Sequence, residues 1–248
     1  MRRVLFGLLG LFFSIGSAQA ATVKVAVAAN FTAPMQQIAA AFAQDTGHQA
    51  LLAFGSTGKF YAQIRNGAPF EVLLAADDQT PARLEAEGHA VAGTRHTYAV
   101  GRLALWSRQP GLVDDAGAVL RNGSFKRLAL ADAKLAPYGA AALQVLNGLG
   151  LTARLTPKFV YGENIAQTYQ FAASGNAEHG FVALSQVWAD GQLKSGSVWP
   201  VPAALHTPLR QDAIVLKPGQ HQPATAALMN YLRSDKARAI MRGYGYGF

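Results

Sequence analysis

Residues 22–67 read "TVKVAVAANFTAPMQQIAAAFAQDTGHQALLAFGSTGKFYAQIRNG". Two apolar runs typical of strands alternate here with two segments of helical periodicity, and a glycine (Gly47, Gly67) closes each helical segment. The apolar run "FEVLLAA" follows as a third, buried strand. This β-α-β-α-β order predicts a parallel sheet with helices on both of its faces.

The pattern changes between Gly93 and Ser107, where "TYAVGRLALWS" reads as one long strand with a glycine in its middle. A second set of alternating strands and helices follows, and one more strand and two helices close the chain. We therefore predict two α/β lobes that are joined by extended crossings, in place of one continuous sheet.

The N-terminus has the three parts of a secretory signal peptide: a basic "MRR", an apolar "VLFGLLGLFF" and a small-residue "SAQA". The apolar run is shorter than the roughly 20 residues that span a bilayer. We predict that residues 1–20 are a signal peptide and that the mature protein is exported; the alternative is a buried N-terminal helix. With no cysteine in the chain, disulfides and thiolate chemistry are excluded.

The formal charge of +8 falls to +6 once Arg2 and Arg3 leave with the signal. The basic residues are dispersed, and no Lys/Arg run interleaved with aromatics is present, so the sequence argues against nucleic acid as a partner. Mild basicity favours small anions.

The stretch "AFGSTGKF" resembles a phosphate-binding loop, but Ala53 and Phe60 stand where a nucleotide-binding P-loop needs glycine and a hydroxyl. Ser56 and Thr57 nevertheless begin a helix, where free N–H groups and the positive end of the dipole attract anions. Plain N-capping of the helix is the alternative.

Three more strand-to-helix junctions have the same composition. They are Asn30, Phe31 and Thr32; Pro137, Tyr138 and Gly139; and Glu163, Asn164 and Ile165. Because ligands of open α/β sheets bind at the carboxyl ends of strands, four such junctions predict a cleft for a compact anion.

Evidence for catalysis is weak. The six histidines show no metal-binding spacing, and no nucleophile-elbow motif is present. Asp77 and Asp78 form an acidic pair that serves either acid–base chemistry or, as we expect, the cap of the next helix. The helical periodicity places Lys59 and Arg65 on an outer, solvated face.

Five stretches together resemble the periplasmic molybdate-binding proteins of ABC transporters, from about Val23 to the C-terminus. They are "VAANFTAPMQQIAAAF", "AFGSTGKFYAQIRNGAPFEVLLAADD", "APYG", "YGENIAQTYQFAASGNAEHGFVALSQ" and "YGYGF". The resemblance implies a two-lobed flytrap fold of the α/β class, each lobe a mixed, mainly parallel sheet flanked by helices. We expect residues 21–101 and 205–248 in lobe 1 and residues 102–204 in lobe 2.

The resemblance also implies the ligand-binding residues. Asn30 and Thr57 would give donors from the first lobe, and Tyr138 and Ile165 would give backbone N–H donors from the second. Ala29 and Ser56 are further candidates. A tyrosine that often reaches the ion in this family is replaced here by Ala183, and the Asn30 amide would compensate for it.

The function implied by the resemblance is capture of molybdate or tungstate between the lobes and delivery to a membrane ABC permease. The protein would be a periplasmic monomer with no cofactor, no directly bound metal cation and no enzymatic activity. Two alternatives are a binding protein for another oxyanion, sulfate or phosphate, and a secreted phosphate- or acyl-ester hydrolase that uses Asp77, Asp78 and Lys59.

Overall fold

The computed structural model describes residues 20–248, and the signal peptide predicted for residues 1–20 lies outside this range except for Ala20. The first half of the chain forms β1 (Thr22–Ala28), α1 (Thr32–Thr46), β2 (Gln49–Gly55), α2 (Thr57–Arg65), β3 (Val72–Leu74), α3 (Gln79–Ala86), β4 (His96–Gly101), β5 (Leu103–Ser107), α4 (Ala118–Asn122) and β6 (Leu128–Ala131). The second half forms α5 (Pro137–Gly148), α6 (Thr152–Leu155), β7 (Phe159–Gly162), α7 (Ile165–Ser174), β8 (His179–Ala183), α8 (Leu184–Val187), β9 (Trp188–Ala189), β10 (Gln192–Leu193), β11 (Ser197–Pro200), β12 (Leu209–Val215), α9 (Pro223–Tyr231) and α10 (Asp235–Gly243).

The first lobe is built on a five-stranded sheet of order β2-β1-β3-β12-β4. β1 pairs in parallel with β2 and β3, as the opening stretch predicts. β12 returns from the C-terminal part of the chain and pairs antiparallel with β3 and β4. The sheet is therefore mixed.

Helices cover both faces of this sheet. On one face Met35, Ile38 and Phe42 of α1 are fully buried among residues of α9 and α10, and Gly47 ends α1 in the left-handed conformation. On the other face Phe60 and other apolar side chains of α2 and α3 pack on the sheet. These helices leave the carboxyl ends of β1, β2 and β3 to face the second lobe.

The second lobe is built on a sheet of order β11-β5-β8-β6-β7, in which β6 pairs in parallel with β7 and β8 and the other two pairings are antiparallel. α5 packs on one face and α7 on the other. The two lobes thus have the same architecture. In each lobe the parallel strands are followed by helices, and the antiparallel strands lie on the side of the sheet where the chain crosses between the lobes.

The segment predicted as one long strand is divided between the two sheets. β4 ends at Gly101 in the first sheet, and β5 begins at Leu103 in the second. Gly101 is required at this crossing because a Cβ would lie 2.1 Å from Tyr138 Oη and 2.3 Å from Gln211 Nε2. Within residues 20–248, no helix is long and apolar enough to cross a membrane.

Candidate functional site

A narrow cavity lies between the two lobes, and all four strand-to-helix junctions reach it. Its volume of about 10 Å³ is on the scale of a single water molecule, which excludes a nucleotide or a sugar. The cavity brings together the six predicted binding residues. Its lining is Ala28, Ala29, Asn30, Gly55, Ser56, Thr57, Ala76, Ala136, Pro137, Tyr138, Asn164 and Ile165.

The first junction is a turn of 3₁₀ helix, Ala29–Phe31, between β1 and α1. All three of its residues are buried. Because the first N–H groups of a helical turn have no partner inside the turn, the backbone of Ala29 and Asn30 offers donors to the cavity. The tight turn brings these N–H groups to the end of β1.

The Asn30 side chain is held by two buried partners that are distant in sequence. Its Nδ2 donates to Gln211 Oε1 at 2.9 Å and to Tyr246 Oη at 3.0 Å, so both amide hydrogens have a partner within the protein. That this amide replaces the missing tyrosine stays a prediction. The donor that Asn30 retains for the cavity is its backbone N–H.

The second junction begins α2 with Ser56 and Thr57, which are 3 % and 2 % exposed. Ser56 precedes the helix in an extended conformation, but its hydroxyl makes no capping bond, and Ser56 Oγ has no hydrogen-bond partner. Plain capping therefore does not account for this serine. A buried, unpartnered hydroxyl beside a cavity is free to bind a ligand.

Thr57 Oγ1 accepts a hydrogen bond from the Ala76 backbone N–H at 3.0 Å. The hydroxyl can still donate its own proton, because a hydroxyl has one donor and two acceptor positions. This bond ties α2 to the end of β3 and orients Thr57 from within the first lobe.

The second lobe contributes the first turns of α5 and α7. Pro137 occupies the start of α5, and Tyr138 follows it with 1 % exposure. Asn164 caps α7 by accepting from the N–H groups of Ala166 and Gln167 at 2.9 and 3.0 Å. The N–H of Ile165, the first residue of α7, lies before these capped groups and is available to the cavity.

The cavity presents dipoles and no formal charge. None of the described residues that line the cavity is Lys, Arg, Asp or Glu. The donors are backbone N–H groups and hydroxyls at four helix starts, where the helix dipole favours an anion. Such a lining is suited to a small anion that must also be released.

Two contacts join the lobes beside the cavity. The Gly58 N–H donates to the Leu135 carbonyl oxygen at 2.9 Å, and Lys59 Nζ lies 2.5 Å from Glu163 Oε1. Lys59 lies on an outer face as predicted, with its side chain 48 % exposed, and it is in addition paired with Glu163 across the lobes. Periodicity places a residue on a helix face and does not reveal what the other lobe presents to it.

One member of the acidic pair, Asp77, has a structural role. Asp77 Oδ1 accepts from the Thr80 N–H at 2.8 Å, and Oδ2 accepts from the Thr80 hydroxyl at 3.1 Å, so Asp77 caps α3 as expected. Burial raises the pKa of Asp77. Among residues 20–248, no group of three or more His, Cys, Asp or Glu side chains is arranged to hold a metal ion.

Sequence reasoning missed three polar residues next to the cavity: Ser185, Gln211 and Tyr246. Each forms hydrogen bonds with Asn30 or Tyr138. Gln211 lies within a strand, and from the sequence a polar residue in a strand is expected to face solvent. Tyr246 belongs to the "YGYGF" terminus, which was part of the resemblance, and that motif was the available signal.

Two α/β lobes that enclose a small, donor-lined cavity at the carboxyl ends of their parallel strands define a solute-binding protein of the two-lobed class. The sequence agrees with this class. The chain belongs to the family described as bacterial extracellular solute-binding protein, whose model matches residues 23–247.

Comparison with individual named proteins gives more specific similarities than the family description does. The chain is 60 % identical over 231 residues to the molybdate-binding protein ModA of Azotobacter vinelandii, covering 93 % of this chain and 92 % of the relative. It is 50 % identical over 229 residues to ModA of Rhodobacter capsulatus, covering 92 % and 89 %. The solved structure of an Azotobacter vinelandii periplasmic molybdate-binding protein matches with a TM-score of 0.88 and 40 % identity, covering 91 % of this chain and 99 % of that one.

Proposed function

We propose that this protein captures molybdate, and tungstate with it, in the cavity between its lobes and delivers the ion to a membrane ABC permease. The observation that carries the proposal is the cavity itself, which is lined by neutral donors from both lobes. Relatives at 60 % and 50 % identity that are named molybdate-binding proteins supply the identity of the ion.

In the proposed site, Asn30, Thr57, Tyr138 and Ile165 bind the oxyanion, and Ala29 and Ser56 add donors. The buried, unpartnered Ser56 hydroxyl and the first-turn N–H groups support this assignment. Hydrogen bonds to charged groups contribute roughly 1.5–3 kcal/mol each, so several fixed donors offset the cost of removing a dianion from water. The ion is cargo, and the protein is proposed to have no enzymatic activity.

Selectivity follows from size and from donor chemistry. Molybdate and tungstate have longer metal–oxygen bonds than the sulfur–oxygen bonds of sulfate, so a cavity fitted to the larger ions holds sulfate loosely. Hydrogenphosphate carries a proton, and a lining of donors offers that proton no acceptor.

The lobe division, location and oligomeric state are part of the proposal. Lobe 1 comprises residues 21–101 and 205–248, and lobe 2 comprises residues 102–204; the end of β4 at Gly101 and the start of β5 at Leu103 support this division. Export to the periplasm by the signal peptide agrees with the extracellular description of the family. The protein is proposed to be a monomer.

Thermal unfolding of the mature protein with molybdate, tungstate, sulfate or phosphate at equal concentration tests the proposal. A ligand that binds only the folded state raises the unfolding midpoint as its concentration exceeds Kd. We expect stabilisation by molybdate and tungstate and little by the other two ions. A midpoint that responds to sulfate or phosphate alone would reassign the ligand, and no response to any of them would refute oxyanion binding.

A further inference from the structure

A buried hydrogen-bonded group of side chains lies behind the cavity and joins the two lobes. We refer to it as the interlobe network. Its members are Asn30, Tyr98, Tyr138, Ser185, Gln211 and Tyr246. All six are buried, and two of them, Asn30 and Tyr138, also line the cavity.

Gln211 is the central member. Its Oε1 accepts from Asn30 Nδ2 at 2.9 Å and lies 3.0 Å from Tyr98 Oη, whose single proton is shared between this oxygen and the Ala75 carbonyl oxygen, also at 3.0 Å. Its Nε2 donates to Tyr138 Oη at 3.0 Å. One fully buried amide in β12 of the first lobe thus connects a cavity residue of that lobe with a cavity residue of the second.

Tyr246 and Ser185 make a second connection. Tyr246 Oη lies 2.9 Å from the Asn30 carbonyl oxygen and 3.1 Å from Ser185 Oγ. The Ser185 hydroxyl, at the start of the second lobe's α8, donates to the same Asn30 carbonyl at 2.7 Å. Asn30 is therefore held by hydrogen bonds to its side-chain amide and to its backbone carbonyl oxygen.

The network is neutral. Burial raises the pKa of Tyr98, Tyr138 and Tyr246 above its ordinary value, so the phenols stay protonated at physiological pH. The carboxylates that act on Tyr98 are Asp77 and Asp212, and Asp212 is paired with Arg95 at 2.7 Å. A neutral network places no negative charge beside a bound anion.

We propose that Gln211 is a positioning residue, which orients the oxyanion donors of Asn30 and Tyr138 across the two lobes without touching the ion. Removing its side-chain amide would take one hydrogen-bond partner from each of three buried groups, on Asn30, Tyr98 and Tyr138. Asn30 Nδ2 would keep Tyr246 Oη, and Tyr98 Oη would keep the Ala75 carbonyl oxygen. The cavity turns of both lobes would then be free to shift apart. This inference rests on the proposed oxyanion-binding function.

Two substitutions at one position test the proposal, with molybdate affinity measured by calorimetry from pH 6 to pH 9. Gln211→Leu removes both hydrogen-bonding ends and should weaken binding about ten-fold or more at every pH. Gln211→Glu has the same shape, and a protonated carboxyl group both donates and accepts. Because burial raises a carboxyl pKa, we expect near-native affinity at pH 6 that is lost as pH rises and the group ionises.

The unmodified protein gives the baseline at each pH. A residue that only fills space would show native affinity in Gln211→Leu, and that result overturns the proposal. Equal weakening of both variants at all pH values overturns it as well, since a protonated glutamic acid should restore the bonds. If the unmodified protein bound none of the four ions (molybdate, tungstate, sulfate and phosphate), the proposed function would be refuted, and this inference with it.

A second variant keeps the test decisive should Gln211→Leu fail to fold. Tyr138→Phe removes only the hydroxyl that Gln211 contacts and keeps the backbone N–H of Tyr138. We expect it to bind molybdate several-fold more weakly and to release it faster; unchanged affinity and release would contradict the proposal. Tyr231→Phe is the matched control, because it removes a phenol hydroxyl bonded at 2.7 Å to Asp45, far from the cavity, and should bind normally.

Discussion

The Thr57 hydroxyl has one proton and two lone pairs, and the Ala76 N–H already occupies one of those lone pairs. The Ser56 hydroxyl, one residue earlier, has no partner at all. These two neighbouring hydroxyls therefore differ in what a ligand adds to them. At Thr57 a bound ion would complete a set of bonds, and at Ser56 it would supply the first one.

We expect Thr57→Ala to weaken molybdate binding by roughly 1–3 kcal/mol and to lower the unfolding midpoint of the ion-free protein, because the Ala76 N–H loses its buried acceptor. Thr57→Ser keeps the hydroxyl and is the matched control for affinity. Calorimetric titration and thermal unfolding measure the two effects. An alanine variant with native affinity would show that the Thr57 hydroxyl does not reach the ion.

Ser56→Ala should separate the two effects that Thr57→Ala combines. Its hydroxyl is buried without a partner, so its removal should leave the ion-free unfolding midpoint unchanged or slightly higher while molybdate affinity falls. A loss of stability without a loss of affinity would instead give Ser56 a structural role.

At the level of single residues, the helix starts made the site predictable. Asn30, Thr57, Tyr138 and Ile165 stand where a strand passes into a helix, and a sequence shows such places through local composition. Gln211 could not be found in the same way, because its partners come from β4, α5 and the turn after β1. Only the folded chain brings these groups together.

At the level of helices and strands, local sequence patterns predicted the order of consecutive elements. The alternation of β1, α1, β2, α2 and β3 follows the period of the apolar residues. The apolar pattern of "TYAVGRLALWS" reads as one strand, and only the lobe boundary expected at residues 101 and 102 divides it. The pattern alone does not show the division, because β4 and β5 receive different partners from distant parts of the chain. β12 likewise pairs with β3 across more than a hundred residues, and no pattern within the strand encodes that choice.

Helix α2 makes a close backbone approach to the second lobe at Gly58, whose N–H donates to the Leu135 carbonyl oxygen at 2.9 Å. A Cβ on Gly58 would lie 3.0 Å from both Cα and the carbonyl oxygen of Leu135, and neither is the flexible end of a side chain. Within the helix alanine is preferred to glycine by roughly 0.5–1 kcal/mol. Alanine at position 58 should therefore stabilise α2 within the first lobe. Its Cβ should at the same time weaken the contact of α2 with Leu135 of the second lobe.

We expect Gly58→Ala to keep or raise the unfolding midpoint of the ion-free protein and to weaken molybdate binding about ten-fold. Gly148→Ala, in α5, is the matched control because a Cβ there meets nothing within 4 Å. It should be equally stable and bind normally. Native affinity in Gly58→Ala would mean that the lobes close without this approach.

The ion pair beside Gly58 is a weaker contact. Lys59 and Glu163 are both close to half exposed, and exposed pairs contribute about 0–1 kcal/mol that salt screens further. The backbone approach at Gly58 should accordingly influence closure more than the neighbouring charges do. The conspicuous lysine of the "GSTGK" loop is thus a contact between the lobes rather than a ligand.

For the molecule as a whole, the proposed donors are divided between two lobes that form the site only together. Asn30 and Thr57 follow strands of one sheet, and Tyr138 and Ile165 follow strands of the other. An ion held by both sets binds the closed arrangement better than an open one. A ligand shifts such an equilibrium by its difference in affinity for the two forms and by no more.

We expect small-angle X-ray scattering to give a larger radius of gyration for the ion-free mature protein than for the molybdate-saturated protein. A compact chain of this length has a radius of gyration of about 17 Å, which sets the expectation for the closed form. Saturating molybdate should leave Gly58→Ala more open than the unmodified protein, because the added methyl group obstructs the Gly58–Leu135 approach. If the protein binds molybdate and yet scatters identically with and without the ion, capture occurs without closure of the lobes. The permease would then have to recognise something other than a change in the separation of the lobes.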